Sequence, residues 1–425
     1  MYRLAITGVL VIAGCGRVGY ESVESTDPTD PDPVQITGCE ALAPIEGTRV
    51  DISPADAAQL PAIAAAAQPG DTLVLASGTY PLSEPVVLSA QGMSLRSASG
   101  NPSDVVLDAD WGITVVDVEA DGVTVAEVTL TRGDVLLRAG SGAPSNSLAV
   151  HRVRFVDAIN AALRVNSVDG AADDGVVACS RFVQTDAGRE TGCQLGDEST
   201  MGIQAQAVRG WRITANRFDG YYCAGNTTAR AIVADRGSRD VEIDRNIIRD
   251  SFIGIQLGLS ETAEGDERVY ADPPACAAGG FVDFAGGTVC SNIVFRSSAV
   301  EPRVDTGIAV WQGCDVTFVH NTVASPTDVP TFSSIEWRFG NTTNIEVINN
   351  LVSGELRARD GAVADETANI VFDDPDAAFV DLQGGDLHLT ADNPAIDVAV
   401  PGTGCVNDID LEPRGSAPDV GADER

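Results

Sequence analysis

Short runs of alternating apolar and polar residues recur along the chain, and each pair of runs meets at an asparagine. Four such segments span residues 245–248, 291–294, 320–323 and 349–352. Asn292, Asn321 and Asn350 are spaced 29 residues apart, and Asn216 precedes Asn246 by 30. Alternation of period two indicates β-strands, and a repeat of 20–30 residues is typical of a solenoid. The pattern therefore predicts stacked coils of short strands.

Each coil needs its neighbours, because one repeat cannot bury its own apolar side chains. An asparagine at a recurrent turn can hydrogen-bond backbone groups of its own coil and the next, and it tolerates unusual φ values. The alternatives are a leucine-rich or an α-helical solenoid. Both are disfavoured, because consensus leucines and long helical stretches are absent.

This repeat resembles the right-handed parallel β-helix of the pectate-lyase-like (pectin lyase-like) superfamily, most clearly over residues 122–353 and more weakly from about 70 to 425. The resemblance implies an all-β, single-stranded solenoid. It places the turn asparagine between the second and third strands and makes Gly254–Leu257 a first strand. The 43 glycines and 5% aromatic content agree with this fold. A solenoid grows along one axis, so we expect one domain over residues 39–425.

The two ends carry signals of their own. Ser53, Pro54 and an alanine-rich stretch predict a short helix within residues 50–69 that caps the first coil. Residues 70–80 then begin the solenoid, and residues 379–425 resemble the closing segment of exported β-helix proteins. Within that segment Asp408, Asp410 and Glu412 have Ca²⁺-like spacing, although the glycine and distal glutamate of an EF-type loop are missing. Pairing of these acids with Arg414 is the alternative.

The first 15 residues predict export. Arg3 precedes a short apolar stretch that ends at Cys15, too short to span a membrane. Its end resembles the bacterial lipobox, which implies lipidation at Cys15 and a tether over the acidic, proline-rich residues 16–38. The alternative is an ordinary signal peptide. We expect a protein of the bacterial cell envelope, at the outer membrane or cell surface, that contacts the membrane through its lipid anchor only.

Eight further cysteines in an exported chain predict disulfides. Pairing of Cys276 with Cys290 and of Cys179 with Cys193 would each close one loop. Cys193 with Cys223 would instead join neighbouring loops, and Cys39 with Cys405 would tie the two ends. The sequence does not decide among these pairings. It contains no C-x-x-C motif and no Cys/His cluster, which disfavours a zinc site.

The formal charge of −35 arises from 62 acidic and 27 basic residues, and every basic residue is arginine. Such a chain repels nucleic acid and anionic lipid. It would also repel a uronate polysaccharide unless an arginine patch or bound Ca²⁺ reversed the local field. The absence of lysine excludes a lysine base or a Schiff base. We expect a monomer, with Ca²⁺ as the one cofactor considered.

The first strands define a candidate binding face. We expect five isoleucines to point inward: Ile203, Ile232, Ile255, Ile308 and Ile335. Their successors point outward: Gln204, Val233, Gln256, Ala309 and Glu336. The next outward row is Gln206, Asp235, Gly258, Trp311 and Arg338. Insertions at 183–201, 219–229 and 258–289 wall this face, and the second contributes Tyr221 and Tyr222. Aromatic rings, amides and charges suit a sugar, so the candidate glycan-binding residues are Gln206, Tyr221, Tyr222, Asp235, Gln256, Trp311, Glu336 and Arg338.

Chemistry on this face is harder to assign. Asp235 and Arg338 are the candidate Ca²⁺ ligand and base of a lyase, although arginine holds its proton strongly. Hydrolysis by inversion needs two carboxylates about 6.5–9.5 Å apart. Asp235 and Glu336 lie three coils apart, so Glu336 would need Asp305 or Asp315 as its partner. His151, His320 and His388 occupy structural positions.

Three functional hypotheses remain open. The leading hypothesis is a surface lipoprotein that binds extracellular polysaccharide, with or without processing it. The second is a non-enzymatic adhesion or spacer protein. The third is a polysaccharide lyase, which we favour over a glycoside hydrolase if the protein is an enzyme.

Overall fold

The structure is a computed structural model that describes Cys39, Leu42 and residues 47–425, apart from 168–171, 196–199, 224–228, 298–304, 328 and 330. The residues from Gly47 onward belong to one compact unit, Thr37–Arg425. The predicted signal peptide (1–15), Cys15 and the tether (16–38) lie outside the described residues.

The described strands wind into a parallel β-helix of three sheets, which confirms the predicted fold. The first sheet contains Val86–Leu88, Val116–Val118, the second halves of Thr129–Ala139 and Arg154–Asn166, Met201–Gln206, Arg230–Asp235, Ile253–Leu257, Thr306–Trp311, Ser333–Arg338 and Leu356–Arg359. The second sheet contains Arg49–Ile52, Thr72–Leu75, Ser94–Ser97, Thr124–Ala126, Ala149–His151, Val176–Ala178, Arg212–Thr214, Ser238–Asp244, Phe284–Cys290, Gly313–Val319, Thr343–Ile348 and Asp365–Thr367. The third sheet contains Gly78–Pro81, Val105–Asp108, the first halves of Thr129–Ala139 and Arg154–Asn166, Arg181–Val183, Arg217–Asp219, Ile247–Arg249, Ile293–Phe295, Thr322–Ala324, Leu351–Val352 and Ile370–Val371.

Helices are few and short among the described residues. The α-helices are Leu60–Ala65, Asp186–Leu195 and Pro375–Ala378, and the 3₁₀ helices are Pro54–Gln59, Pro102–Asp104 and Ala275–Gly279. A two-stranded antiparallel hairpin, Phe379–Asp381 with Asp386–Leu389, follows the last coil. Of the helices that are described, none has the length and apolar character needed to cross a bilayer.

The interior of the coils is an apolar stack in register. The five isoleucines predicted to point inward pair with one another from strand to strand and are fully buried: Ile203, Ile232, Ile255, Ile308 and Ile335. Phe155, Phe182 and Phe218 stack on the third sheet with ring centroids 4.5 Å apart. Identical or similar side chains therefore repeat at the same position in successive coils, and the register is fixed by burial.

A ladder of side chains between the second and third sheets joins the coils. Its members are Ser180, Asn216, Asn246, Asn292, Asn321, Asn350 and Asn369. Asn321 is typical of the asparagines. Its Oδ1 accepts the backbone N–H of Asn292 at 3.1 Å and the Asn292 amide at 3.0 Å. Its Nδ2 donates to the Val289 carbonyl at 2.9 Å and to Asn350 Oδ1 at 3.0 Å. One amide thus satisfies buried polar groups on both sides of its own coil.

The unusual backbone conformation at this turn belongs to the residue before each asparagine. Ala215, Arg245, Ser291, His320 and Asn349 all have φ between 50° and 56°. The ladder asparagines Asn216, Asn246, Asn292, Asn321 and Asn350 do not themselves have positive φ. The left-handed residue turns the chain, and the asparagine side chain then reaches into the interior.

The N-terminal cap begins as predicted at Ser53 but is shorter than residues 50–69. The Ser53 backbone N–H and hydroxyl donate to Asp56 Oδ2 at 3.1 and 2.7 Å, and Pro54 occupies the first helical position. Residues 49–52 form a strand that pairs with Thr72–Leu75 instead of joining the helix. Leu60 and Ala64 are fully buried and close the first coil.

The closing segment, residues 379–425, hydrogen-bonds to turns of the last coils. The Asn349 side chain pairs with the backbone of Val400 through bonds of 2.8 and 2.9 Å. His320 Nδ1 lies 3.1 Å from the Asp419 carbonyl, and its Nε2 lies 3.0 Å from the Asn349 amide nitrogen. Since that nitrogen can only donate, His320 is neutral with its proton on Nδ1. Burial, reinforced by the charge of Arg414, lowers the pKa of His320 to about 3.

Four disulfides are present among the described cysteines. They join Cys39 to Cys179, Cys193 to Cys223, Cys276 to Cys314 and Cys290 to Cys405. The pairing of Cys193 with Cys223 is confirmed. The other pairings considered, Cys276–Cys290, Cys179–Cys193 and Cys39–Cys405, do not occur, because stacking places each of these cysteines beside a cysteine of a different segment. Each end is fastened to the body of the helix, and the two ends are not fastened to each other.

Replacing Asn321 with alanine should destabilise the protein strongly. The change leaves several buried donors and acceptors without partners, at about 1–3 kcal/mol each. We expect chemical denaturation to show a loss of at least about 3 kcal/mol in the free energy of unfolding. The control is Asn160→Ala, which removes one half-buried amide beside Asp134 and should cost about 1 kcal/mol. Equal losses in the two variants would refute the ladder as a main source of stability.

His320 should make the protein less stable in acid. Its folded pKa of about 3 lies below the usual value of 6.5, so the neutral ring stabilises the fold above pH 6.5. That stability is lost as pH falls from 6.5 toward 3, by up to about 1.4 kcal/mol per pH unit. We expect the stability difference between wild type and His320→Gln, measured by urea unfolding, to shrink over this window. A difference that does not vary with pH would contradict the assignment.

Candidate functional site

The outer face of the first sheet runs between two sets of loops. The helix Asp186–Leu195 and the described residues 219–223 lie beside the strand starts, where each coil passes from the third sheet to the first. The insertion 258–283 leaves at the strand ends, where the chain passes to the second sheet. The predicted face therefore exists as a strip of outward side chains between these loops. Access to it differs from one end to the other.

Five residues at the C-terminal end of this strip form an arginine–aromatic face: Trp311, Phe332, Arg338, Arg357 and Arg359. The Arg338 guanidinium lies 5.1 Å from the centroid of the Trp311 ring. Arg357 and Arg359 lie 4.0 and 5.2 Å from the centroid of Phe332, which is 41% exposed. The strand pairs Trp311–Arg338 and Arg338–Arg359 place these side chains on successive rungs. Arginine and aromatic side chains thus share an accessible surface across three coils.

Buried Glu336 holds this face together from below. Its Oε1 accepts the Trp311 indole N–H at 2.9 Å, and both carboxylate oxygens lie 3.1 Å from Arg359 Nη1. Ser333 donates a further bond at 3.3 Å. The predicted glycan contact through Glu336 is therefore corrected to a positioning role, because its side chain is fully buried. Trp311 is only half-buried, but alanine there would also remove one partner of this carboxylate.

The remaining arginines are restrained by exposed acids. Arg338 Nε donates to Asp360 Oδ2 at 2.5 Å, and Arg357 Nη2 lies 2.5 Å from Glu355 Oε2. Asp360 and Glu355 are half to two-thirds exposed, so water and salt weaken both pairs. An anionic ligand can compete for these guanidinium groups more easily than for Arg359.

The middle of the strip is covered, contrary to the sequence analysis. Gln206, Asp235 and Gln256 point outward from their strands but are buried. Gln206 hydrogen-bonds to Asp235, and Gln256 Oε1 accepts from Arg230 Nε. Within the described part of the chain, Gln256 Nε2 and Asp235 Oδ1 have no hydrogen-bond partner. Direct glycan contact at these three residues is inconsistent with their burial.

The two candidate catalytic residues are not brought together. Asp235 and Arg338 stand on strands three pairings apart, roughly 14 Å at about 4.8 Å per rung. Burial and the charge of Asp283 raise the pKa of Asp235 to about 7. Arg338 lowers the pKa of Asp360 by hydrogen bonding to it, an interaction that favours a charged guanidinium over a proton-accepting base.

The two loop acids considered as partners of Glu336 have different positions. Asp315 is exposed on the second sheet and accepts a bond of 2.9 Å from Asn344. It cannot assist Glu336 on the first sheet. Asp305 precedes the strand Thr306–Trp311, and burial together with the charge of Glu336 raises its pKa. The environment of Asp305 therefore favours its protonated form, as expected for an acid near a second carboxylate.

The two tyrosines predicted to contact a glycan lie in different environments. Tyr221 is buried against Phe218 at a centroid distance of 6.4 Å, so its assignment to an exposed platform is wrong. Tyr222 is half-buried beneath the guanidinium of Arg189, 4.4 Å from the ring centroid. Tyr222 precedes the strand Arg230–Asp235, which is two strand pairings from the strand of Trp311.

The acids of the closing segment have protein partners. The Asp408 carboxylate accepts backbone N–H groups of Asp410, Glu412 and Glu424 at 2.9, 2.7 and 3.0 Å. Asp410 lies 2.9 Å from His388 Nε2, and these two form with Asp423 a cluster of metal-ligand type. The hydrogen bond that His388 donates to Asp410 raises the pKa of His388 to about 9, with Asp423 and Asp386 contributing. A protonated imidazole fits this cluster without a metal, and Ca²⁺ at Asp408, Asp410 and Glu412 stays a prediction.

Sequence reasoning missed three residues of the arginine–aromatic face. Arg357 and Arg359 follow Leu356 by one and three positions, as Glu336 and Arg338 follow Ile335. Extending the alternation by one coil would have found them, but that coil lacks the 29-residue spacing. Phe332 lies in a loop before its strand, and no local sequence signal marks it.

Comparisons with known proteins agree with this geometry at the level of the fold. No known family profile matches the sequence, and no curated protein does either. A pectate lyase, Pel9A, superposes with a TM-score of 0.53 at 15% identity, covering 91% of this chain and 98% of that one. The fold is pectate-lyase-like. A rhamnogalacturonan lyase (TM-score 0.54, 12% identity, 81% and 97% covered) and a glycoside hydrolase (0.53, 10%, 76% and 96%) are similarly related. At these identities the likeness establishes architecture alone.

Proposed function

We propose that this protein binds an acidic polysaccharide at the arginine–aromatic face. The observation that carries the proposal is a cluster of three arginines, two of which are paired only with exposed acids. On a chain of net charge −35, three arginines converge on adjacent rungs of one accessible strip. Their guanidinium groups lie against Trp311 and Phe332, in contacts that orient them and leave N–H edges for a ligand.

The chemistry of this face matches a uronate chain better than a neutral one. Carboxylates on successive sugars can bind guanidinium groups in the planar, two-point manner that arginine favours. Phe332 and Trp311 offer apolar surface to the C–H faces of the rings. The surrounding negative charge repels an acidic polymer elsewhere, so binding is confined to this strip and should weaken with salt.

Cleavage by β-elimination is the second function we propose to test. It is supported by the pectate lyase and rhamnogalacturonan lyase among the structural neighbours. In this chain the arginines would offset the charge of the uronate carboxylate. The pairing of Arg338 with Asp360 argues against Arg338 as the base. If Ca²⁺ takes part, carboxylates are the ligands available to it, and calcium-dependent activity is part of the same test.

We also propose that the protein is displayed at the bacterial cell surface through a lipid on Cys15. The apolar run that ends at Ile12-Ala13-Gly14-Cys15 supports this proposal. A surface location would place the arginine–aromatic face in contact with extracellular polysaccharide. A non-enzymatic spacer with no glycan ligand remains the competing hypothesis.

Arg357→Gln should weaken binding of polygalacturonate or alginate by about tenfold or more, since hydrogen bonds to charged groups contribute about 1.5–3 kcal/mol. Phe332→Ala should weaken it by about tenfold through the loss of apolar contact with the sugar rings. Thermal stability should change little, because both side chains are accessible. The measurement is calorimetric titration at low and moderate salt. Arg49→Gln is the matched control, an exposed arginine on the second sheet that should bind as wild type does.

Three results would count against this assignment. Binding of neutral dextran as tight as that of polygalacturonate would contradict a charge-based site. Equal weakening by Arg49→Gln would indicate a nonspecific charge effect. No binding to any acidic polymer, with and without Ca²⁺, would favour the spacer. Ultraviolet absorbance of unsaturated uronides distinguishes a lyase from a binding protein.

Cys15→Ser should release the protein from the membrane fraction or stop its maturation. Lipidation requires the thiol, and serine cannot replace it at this step. Fractionation and immunoblotting of wild type and variant, with Cys290→Ser as a control for loss of a disulfide cysteine, would show the difference. Unchanged processing and membrane association in Cys15→Ser would contradict the lipoprotein assignment.

A further inference from the structure

The insertion 258–283 encloses a pocket of about 400 Å³ on the outer side of the second sheet. The floor is formed where the strands Ser238–Asp244 and Phe284–Cys290 begin, with Arg239 paired to Ala285. The roof and walls include Val269, Tyr270 and Phe281 from the insertion. This volume falls within the range of about 300–1,000 Å³ typical of small-ligand pockets. The pocket faces away from the first sheet and is separate from the arginine–aromatic face.

Hydrogen bonds hold the insertion 258–283 in place, both where it begins and ends and along its length. Asp283 accepts the backbone N–H groups of Leu259 and Ser260 at 2.6 and 3.0 Å, which closes the base of the insertion. Farther along, Gln312 donates to the Glu261 carbonyl at 2.9 Å, and Asn341 donates to the Phe281 carbonyl at 3.1 Å.

Stronger links fasten the rest of the insertion. Arg268 binds the Asp173 carboxylate with two bonds of 2.6 and 2.7 Å. A disulfide joins Cys276 to Cys314 on a strand of the second sheet. Because the walls are tied to separate coils, the pocket is formed before any ligand arrives, which lowers the cost of binding.

The charged groups around the pocket already have partners within the protein. Arg268 is neutralised by Asp173. Arg239 lies 3.1 Å from Asp240 and 3.5 Å from Asp272. Glu267 accepts backbone N–H groups of Glu264 and Gly265, and these bonds lower its pKa. An anionic ligand would have to displace these acids from the arginines, and the carboxylate of Glu267 would repel it.

The surfaces that remain available are flat and apolar. The Tyr270 ring lies against three guanidinium groups, with Arg268, Arg239 and Arg209 at 4.5, 5.4 and 5.8 Å from its centroid. Phe281, two prolines and small side chains complete the lining. Val269, at the outer edge of the pocket, is 92% exposed.

We propose that this pocket binds a small, uncharged aromatic molecule. The volume of the pocket admits one or two fused rings. An anion is disfavoured by Glu267 and by the pairing of the rim arginines with acids, and a cation is disfavoured by the three guanidinium groups at Tyr270. The site is independent of the proposed polysaccharide site, so the two can succeed or fail separately.

The test uses 2-naphthol as the neutral probe and 2-naphthoate as its anionic counterpart, titrated into the full chain. We expect saturable one-to-one binding of 2-naphthol and at least about tenfold weaker binding of 2-naphthoate. Ala263→Trp, which fills the mouth from an exposed position, and Ala285→Leu, which raises the floor, should each weaken binding about tenfold or more. The matched control is Ala271→Trp, an exposed alanine of the same insertion that does not line the pocket.

Retention of full affinity in Ala263→Trp and Ala285→Leu, or loss of affinity in Ala271→Trp, would overturn the location. Absence of any 2-naphthol binding to wild type would overturn the proposal itself. Equal or tighter binding of 2-naphthoate would overturn the requirement for a neutral ligand. Ala285 is buried, so a fall in the melting temperature of Ala285→Leu would indicate altered packing; in that case Ala263→Trp, at the surface, decides. Arg357→Gln should bind 2-naphthol as wild type does, which separates this site from the polysaccharide site.

Discussion

Hydrogen bonding between successive coils is the interaction on which the rest of the molecule depends, and the asparagine ladder concentrates it at one corner. Each amide joins its own coil to the coils on both sides. The apolar side chains beneath the ladder are buried only when coils stack, because a single coil has no interior. The ladder therefore reinforces the register that burial sets, and the register decides which side chains face outward. A slip of one residue would turn Arg338 and Arg359 inward and bring Trp337 to the surface.

The fold was predictable because the residues that repeat along the sequence are the same residues that are buried in the structure. Asn246, Asn292, Asn321 and Asn350 identified the turn, and the inward isoleucines identified the register. Ser180 and Asn369, the outer members of the ladder, were not predictable because one is not an asparagine and the other follows a short coil. The presence of disulfides was predictable, but their pairing was not, since spacing along the chain says little about which loops stack beside each other. Cys276, for example, pairs one coil onward with Cys314.

The candidate site was only partly predictable for a related reason. Alternation identifies side chains that leave the strand outward, but it does not show whether loops cover them. Trp311 and Arg338 are accessible, whereas Gln206, Asp235 and Gln256 have the same strand geometry and are buried. Whether an outward side chain is exposed depends on the loops above it, and the sequences of these loops have no periodic pattern. A further difficulty is that one buried carboxylate can position residues from several coils. Glu336 binds both Trp311 and Arg359, whereas the sequence analysis treated Trp311 and Glu336 as two independent glycan contacts.

The attachment of the closing segment has a consequence for the order in which the molecule is made. Val400, Cys405, Asp419 and Ala422 supply partners for Asn349, Cys290, His320 and Thr322, residues synthesised some 50 to 115 positions earlier. Coils near the N-terminal helix can stack as they emerge, each on a finished template. Those that contain Cys290, His320 and Asn349 cannot reach their final bonding until the last residues have been added. Assembly thus has a direction, and a chain that stops short of its end would leave polar groups of three earlier coils unmatched.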